Sequence, residues 1–404
     1  WTLSRGLGDV YKRQPLYDSL RSSGAVFGEK LGWERANWFA EHDEEPHDIY
    51  TFGQPNWHGA VAREHKAARD AAVLFDQTSF AKYILTGPDA EQALQWVAAN
   101  RVDKPVGSII YTQMLNDNGG IECDLTCVRT KHTEYYITTG TGYATHDFDW
   151  IGRNIPSDLN VQLVDVTSSN AVLSLFGPKA RDILAMVTTG NVSNTAHPFG
   201  FARQIGIAGC SVLAMRITYV GELGWELHLP VENAQTVYSA LIEAGTPFGL
   251  RNAGYRAIET LRLEKGYRAW SSDIGPDHTP DEAGLGWAVK MKSNISFKGR
   301  DAVARQREEG IKKIMATFTT DSDIILSGRE TIYRNGNRCG WLSSAGFGHT
   351  IGKFIGMGYV RGDEYIDTEF VLSGDYELEV ATERVKANVF LKPLYDPKME
   401  KIKT

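Results

Sequence analysis

Tyr219 and Glu226 lie seven residues apart in RITYVGELGWELHLP, residues 216–230, and together they offer an aromatic face and a carboxylate. An aromatic ring stacks on planar heterocycles, and an ionised carboxylate accepts two parallel N–H groups from a guanidine-like edge. Residues 216–219 suit a pleated surface, Gly221 and Gly224 punctuate a turn, and residues 225–229 resume alternation until Pro230 stops it. The reading is a hairpin with Tyr219 and Glu226 on facing strands. On its second strand Trp225, Leu227 and Leu229 share one face, and Glu226 and His228 share the other. Two meanings stay open for the pair: a grip on a planar heterocycle, or the polar outer face of an exposed hairpin, which half-buried antiparallel sheets commonly present.

A second carboxylate stands out in IIYTQMLNDNGGIECDLTCVRT. An NDNGG turn at 116–120 joins two apolar strands. Alternation puts Glu122, Asp124 and Thr126 on one face, and Ile121, Cys123, Leu125 and Cys127 on the other. The cysteines read as core. Asp is depleted inside strands, and a carboxylate there is costly unless it faces a polar cavity. Asp124 is therefore a candidate for chemistry.

Other motifs fall away on inspection. GFGHTIGKFIG, residues 346–356, lacks phosphate-loop spacing, has Phe354 where Ser or Thr is required, and is followed by strands. Tight turns and close backbone contacts explain its glycines. No GxGxxG opens a βαβ unit, so the chain has no dinucleotide domain of its own. His65 and His349 have no nucleophile elbow and no HExxH, and read as packing or surface residues.

The elements that must position these residues can be traced along the chain. Its 404 residues suggest two or three domains, and 10 Trp and 17 Tyr favour a packed enzyme or binding protein. A net charge of -7 without a Lys/Arg-rich block argues against nucleic-acid binding. Cys123, Cys127, Cys210 and Cys339 form no zinc-spaced set and read as free thiols; no metal is expected. No apolar run of membrane-spanning length occurs, and no secretory signal opens the chain. The cytoplasm or an organelle matrix is the expected location.

Residues 1–14, WTLSRGLGDVYKRQ, fit nothing that follows and read as an extraneous segment. Residues 15–50 read as an extended connector whose Trp33 and Trp38 need a surface to pack on, a domain this chain lacks being one candidate. Residues 59–75 have Val61, His65, Ala68, Ala72 and Phe75 at helical spacing. AKYILTG then reads as a strand and DAEQALQWVAAN as a helix, split by Gly87-Pro88. The order recurs in AVLSLFGPKARDILAMV around Gly177-Pro178, which suggests duplicated strand-turn-helix units. Helices are expected at 234–245 and 253–264, and short strands of a small β domain from about 311.

Four segments in order, NDNGGIECDLTCVR, RITYVGELGWELHLP, ETLRLEKGYRAWSSDI with TPDEAGLGWAVK, and SAGFGHTIGKFIGMGYV, resemble the glycine-cleavage T-protein (aminomethyltransferase) superfamily from about residue 15 to the end. The entry segment YDSLRSSGAVFGEKLGWERANWFA is similar to the junction between the flavin and folate halves of sarcosine and dimethylglycine dehydrogenases. The resemblance implies an α+β, three-domain, clover-shaped folate-binding fold. Residues 51–300 would form the folate-binding region of two intertwined subdomains, and residues 301–404 a C-terminal β-barrel. It implies tetrahydrofolate as cofactor, with FAD only in a missing N-terminal half. The implied folate-contacting set is Asp124, Leu125, Tyr219, Glu226, Arg256 and Tyr267, with Asp124 also catalytic. The family's basic residue in the helix after the hairpin falls, without gaps, on Ile258, between Arg256 and Arg262.

The implied activity is capture of the formaldehyde or iminium unit from N-methyl amine oxidation as 5,10-methylenetetrahydrofolate, with a flavin domain as partner. Asp124 would accept a proton or stabilise a cationic iminium, and Glu226 would meet the pterin donor edge. A free-standing aminomethyltransferase or folate-dependent demethylase is one alternative. A non-enzymatic folate module is another, but its KGCYxGQE motif is replaced here by EKGYRAW. A catalytically idle regulatory domain is the third.

Overall fold

The computed structural model describes residues 12–404. Residues 1–11, most of the segment expected to be extraneous, lie outside the described residues. Lys12–Arg13 (β1) pairs in parallel with Trp33–Phe39 (β3), which pairs antiparallel with Ala25–Lys30 (β2). Tyr17–Ser22 (α1) leads into this small sheet. The expected extended connector is therefore a folded unit, and the surface its tryptophans need is the chain's own. Trp38 is fully buried with Val61, Ala68, Phe75 and Leu261, and its indole N–H donates to Asp48 at 2.8 Å. Burying an aromatic of that size contributes about 2–3 kcal/mol, which fixes the segment to the body.

His58–Asp70 (α2) is followed by Ala72–Asp76 (β4), so the helix expected over 59–75 ends early. All five residues of β4 are buried. In a strand buried on both faces, period alone does not distinguish helix from strand, and Ala72 and Phe75 matched the helical spacing for that reason. Ala81–Thr86 (β5) and Ala90–Val97 (α3) follow as expected, then the hairpin of Ile109–Leu115 (β6) and Ile121–Lys131 (β7), then Glu134–Thr139 (β8) and Ala144–Asn154 (α4). The second half repeats the order: Gln162–Asp165 (β9), Asn170–Phe176 (β10), Ala180–Val187 (α5), Ala202–Ile207 (β11), Cys210–Met215 (β12), Gly224–Pro230 (β13), Ala234–Gly245 (α6) and Leu250–Asn252 (β14).

The two halves build two matching sheets. One has the order β6-β7-β8-β5-β9 and the other β11-β12-β13-β10-β4-β14. The five strands of the first correspond in order to the first five of the second, β14 being an extra edge strand beside β4, and each half lends the other a strand. β4, from the first half, pairs antiparallel with β10; β9, just before the second unit, pairs antiparallel with β5. The Gly-Pro turns serve this exchange. Gly87 and Gly177 have φ of 139° and 133°, a region few residues but glycine enter. A Cβ on Gly87 would lie 2.4 Å from the Asn160 carbonyl oxygen, just before β9. One on Gly177 would lie 2.5 Å from the Ala71 carbonyl oxygen, just before β4.

Tyr255–Lys265 (α7) crosses to the last part of the chain, where Arg300–Glu309 (α8) leads into a closed barrel. The barrel consists of Ile311–Thr319 (β15), Thr331–Arg334 (β16), Asn337–Gly348 (β17), Lys353–Ile366 (β18), Tyr376–Val380 (β19) and Glu383–Phe390 (β20), with Thr368–Leu372 (α9) between β18 and β19. Arg262, Glu264 and Lys265 of α7 are all buried at the junction. Arg262 donates to Asp273 at 2.7 Å and to Ser344 of β17 at 2.9 Å. Glu264 accepts from the Thr350 N–H at 2.7 Å and the Ile351 N–H at 3.2 Å, so the GFGHTIG turn wraps a carboxylate. Burial opposes ionisation of Glu264, but His65 and Arg69 outweigh it and hold its pKa down to about 2. His65 is thus a buried packing residue of this junction, bonded through Nε2 to Glu264 and Thr350.

Candidate site between the two sheets

Asp124 lies on β7, whose burial alternates as the sequence requires. Cys123, Leu125 and Cys127 are buried in an apolar core, and Glu122, Asp124 and Thr126 point the other way. Across the ladder Gln113 faces Asp124 and Tyr111 faces Thr126. The Gln113 amide donates to Asp124 Oδ1 at 2.8 Å. Burial pushes the Asp124 pKa up to about 6; Tyr111, Gln113 and Arg268 oppose the rise, and the Asp147 charge adds to it. A carboxyl so placed ionises close to neutral pH, the condition for exchanging a proton.

The face that carries Asp124 packs against the other sheet. Val128 and Tyr136 from the first sheet form one buried cluster with Ala202 and Met215 from the second. In the second sheet Met215 pairs with Glu226 and Leu213 with His228. Glu226 and His228 therefore sit on the same inter-sheet face, while Trp225, Leu227 and Leu229 fill the core behind them. The Tyr136 hydroxyl reaches across to His228 Nδ1 at 3.1 Å.

Tyr219 is placed differently from the hairpin reading. β12 ends at Met215 and β13 begins at Gly224, so Tyr219 belongs to the loop between them and does not face Glu226 across a ladder. The loop takes this path because its backbone turns on Gly221, at φ 81°, and packs on Lys265. Its ring stacks on Tyr267, with centroids 5.8 Å apart and planes at 17°. Its hydroxyl donates to the Arg268 carbonyl at 2.9 Å. Burial raises the Tyr219 pKa, with Asp124 among the charges that add to the rise. Burial lowers that of Arg268 against the pull of Tyr111, Tyr359, Asp273 and Asp124. Tyr111, at the same seam, stacks on the exposed Trp287 at 5.7 Å, which places an aromatic rim beside Asp124.

Two members of the expected set are not brought together with the rest. Leu125 turns its side chain into the core behind β7. Arg256 pairs with Asp48 at 2.5 Å and lies over the Trp57 ring at 3.7 Å, and so faces the N-terminal unit. A half-buried cation near Asp124 is Arg268, beyond the glycine that ends α7. Sequence reasoning missed it by seeking the basic residue inside the helix. It also missed Tyr111 and Gln113, although the hairpin register sets them on the same face as Asp124, across the ladder.

The seam has the marks of a ligand site. Gln113 Oε1 is a buried polar atom without a hydrogen-bond partner, a costly state that a polar ligand relieves; His228 Nε2, also without one, faces Glu226 Oε2 at 3.6 Å. Glu226 and Gln113 offer acceptors, and the Tyr219–Tyr267 pair aromatic faces, of the kinds a planar ring with a donor edge requires. Among the described residues, Cys123, His146 and Asp147 bring ligand-type atoms within 4.8 Å of one another. There Asp147 is already bonded by Thr139 at 2.6 Å and by His146 at 2.9 Å. A cavity of about 520 Å³ lies elsewhere, against the N-terminal sheet, with Tyr17, Arg21, Asn37 and Asp48 in its wall. It contains none of the residues named for the seam.

Comparison with known proteins agrees with this architecture. Residues 16–293 match the family model described as the GCVT N-terminal domain, and residues 313–396 match the glycine cleavage T-protein C-terminal barrel domain. Mitochondrial sarcosine dehydrogenase of Mus musculus is 37% identical over 98% of this chain and 47% of its own length. An aminomethyltransferase of Halothermothrix orenii is 33% identical over 87% of this chain and 92% of its own length. The crystal structure of the glycine cleavage system aminomethyltransferase T from Bartonella henselae superposes with a TM-score of 0.81 at 24% identity, over 96% of this chain and 98% of that one. This is the same fold. The chain spans about half the length of the dehydrogenase it matches.

Proposed function

Because the chain belongs to the glycine cleavage T-protein family, we propose that its inter-sheet seam binds tetrahydrofolate and loads a one-carbon unit onto it. The observation that supports this reading is Asp124, held by Gln113 on the inter-sheet face with its pKa raised by burial, next to a Gln113 Oε1 that has no partner. Tyr219 and Tyr267 supply aromatic faces for the pterin, and Glu226 accepts from its donor edge. The reduced folate supplies the nucleophilic nitrogens. Asp124, poised to ionise near pH 6, takes the proton that such a nitrogen loses on bonding to the one-carbon unit, or stabilises the cationic carbon before it is captured.

The finer reading makes this chain the folate half of a demethylating flavoprotein. A flavin-bearing half would oxidise an N-methyl amine of sarcosine or dimethylglycine type, taking a hydride and leaving a methylene unit at the formaldehyde level. The folate seam would capture that unit as 5,10-methylenetetrahydrofolate. Support comes from a relative that extends over a further half and is called sarcosine dehydrogenase. A free-standing aminomethyltransferase is the second reading, favoured by the Halothermothrix relative, which this chain matches over nearly its whole length.

Isothermal titration with tetrahydrofolate, paired with a transfer assay, tests the site. Asp124→Ala is expected to abolish transfer, and Glu226→Ala to weaken folate binding. Wild-type affinity and rate in both variants would show the seam to be the wrong site. For the finer reading, the chain joined to a flavin half is expected to release less free formaldehyde when tetrahydrofolate is present; equal release with and without it would leave the transferase reading.

A further inference from the structure

His228 stands two residues from Glu226 on the same face of β13, with 4% of its surface exposed. Its Nδ1 lies 3.1 Å from the Tyr136 hydroxyl, whose ring meets the imidazole edge on at 89°. Its Nε2 has no hydrogen-bond partner and faces Glu226 Oε2 at 3.6 Å. Burial lowers the imidazole pKa, and the positive charge of Lys82 acts in the same direction against the pull of Glu226. The ring is therefore neutral near pH 7, with one N–H and one lone pair to assign.

Only one assignment suits both neighbours. With the proton on Nδ1, the lone pair of Nε2 would point at a carboxylate oxygen, acceptor against acceptor. With the proton on Nε2, the imidazole presents N–H to Glu226, and Nδ1 accepts from the Tyr136 hydroxyl. Burial raises the Tyr136 pKa and keeps that hydroxyl protonated. The nearby cation does not compete for this role, because the Lys82 amine is committed to the Thr78 and Asn170 carbonyls at 2.7 and 2.5 Å.

We propose that His228 is a positioning residue that orients the Glu226 carboxylate toward the pterin donor edge, with its tautomer set by Tyr136. A neutral N–H engages one lone pair of the carboxylate and leaves its charge intact. The remaining lone pairs stay free for the paired N–H groups of the ligand. A lysine or arginine in that place would hold the carboxylate as well, but it would compete for the lone pairs the ligand needs. The proposal rests on Glu226 being the pterin contact.

Titration of the folded full chain with tetrahydrofolate and with its analogue lacking the 2-amino group tests this. In His228→Leu, tetrahydrofolate binding is expected to weaken about tenfold, equivalent to about 1.4 kcal/mol, while affinity for the analogue changes less than twofold. His228→Gln, which restores a donor, is expected to recover most of the loss, and Tyr136→Phe to fall between wild type and His228→Leu. Equal weakening of both ligands in His228→Leu would reduce His228 to a packing residue, and no weakening of either would remove it from the site. Should His228→Leu not fold, the glutamine and phenylalanine variants decide by the same comparison. Wild-type tetrahydrofolate affinity in Glu226→Gln would place the failure in the pterin contact itself.

Discussion

Asp124 is held at a cost to folding. A carboxyl with a pKa near 3.8 when unfolded and about 6 when folded binds its proton more tightly in the native state. Stability therefore falls as pH rises from about 4 to 6, and the penalty is complete above 6. Its upper bound is about 3 kcal/mol. Asp124→Asn is accordingly expected to melt at a higher temperature than wild type at pH 7.5, with the gain gone near pH 4, while transfer falls by two orders of magnitude or more. Thermal scans at the two pH values and single-turnover assays check both halves of this statement. In the wild type, the transfer rate should fall as pH drops through about 6, where the carboxylate is lost as proton acceptor. Tyr219 separates ring from hydroxyl: Tyr219→Phe keeps the stack on Tyr267 and should bind tetrahydrofolate within about threefold of wild type, whereas Tyr219→Ala should lose tenfold or more by titration.

At the scale of elements, the Gly-Pro turns matter because of what passes beside them. Gly177→Ala places a methyl group 2.5 Å from a carbonyl oxygen at a φ of 133°, and is expected to lower stability by about 2–4 kcal/mol in urea unfolding. The same logic shows which parts of the fold were legible. The duplicated LTGP and LFGP units, the hairpin around NDNGG and the barrel strands are local patterns, and each formed where the residues said it would. Asp124 was found because alternation and the rarity of strand carboxylates are local too. The exchange of β4 and β9 was not legible, since its partners lie far apart in sequence and no short-range signal names them. Tyr219 was misplaced onto a strand because residues 216–219 have strand composition, while the path of the loop is set by its packing on Lys265 and the Arg268 carbonyl. Arg256 was named because its helix was visible in the sequence, whereas the return of the chain after Gly266, which carries Arg268, was not.

At the scale of the whole molecule, α7 joins the paired sheets to the barrel through buried charge. Arg262 meets Asp273, which is fully buried and also accepts from Ser343 and the Ala269 N–H. Removing one partner of such a pair leaves the other charge buried alone, at about 3–5 kcal/mol. Arg262→Met is therefore expected to uncouple the barrel. Calorimetry should then resolve two transitions where the wild type gives one, and a single unshifted transition would show that apolar packing alone holds the barrel in place. The loan of one strand from each half to the other has a further consequence, for the order of events during synthesis. β4 leaves the ribosome as an apolar ribbon with nothing to pair with until residues 170–176 follow, and the first sheet lacks its edge until residues 162–165 arrive. The first sheet is complete once the second half has begun, but β4 waits for β10. The nascent chain must carry an unsatisfied strand through that interval, which makes this stretch the natural place for a chaperone to hold on.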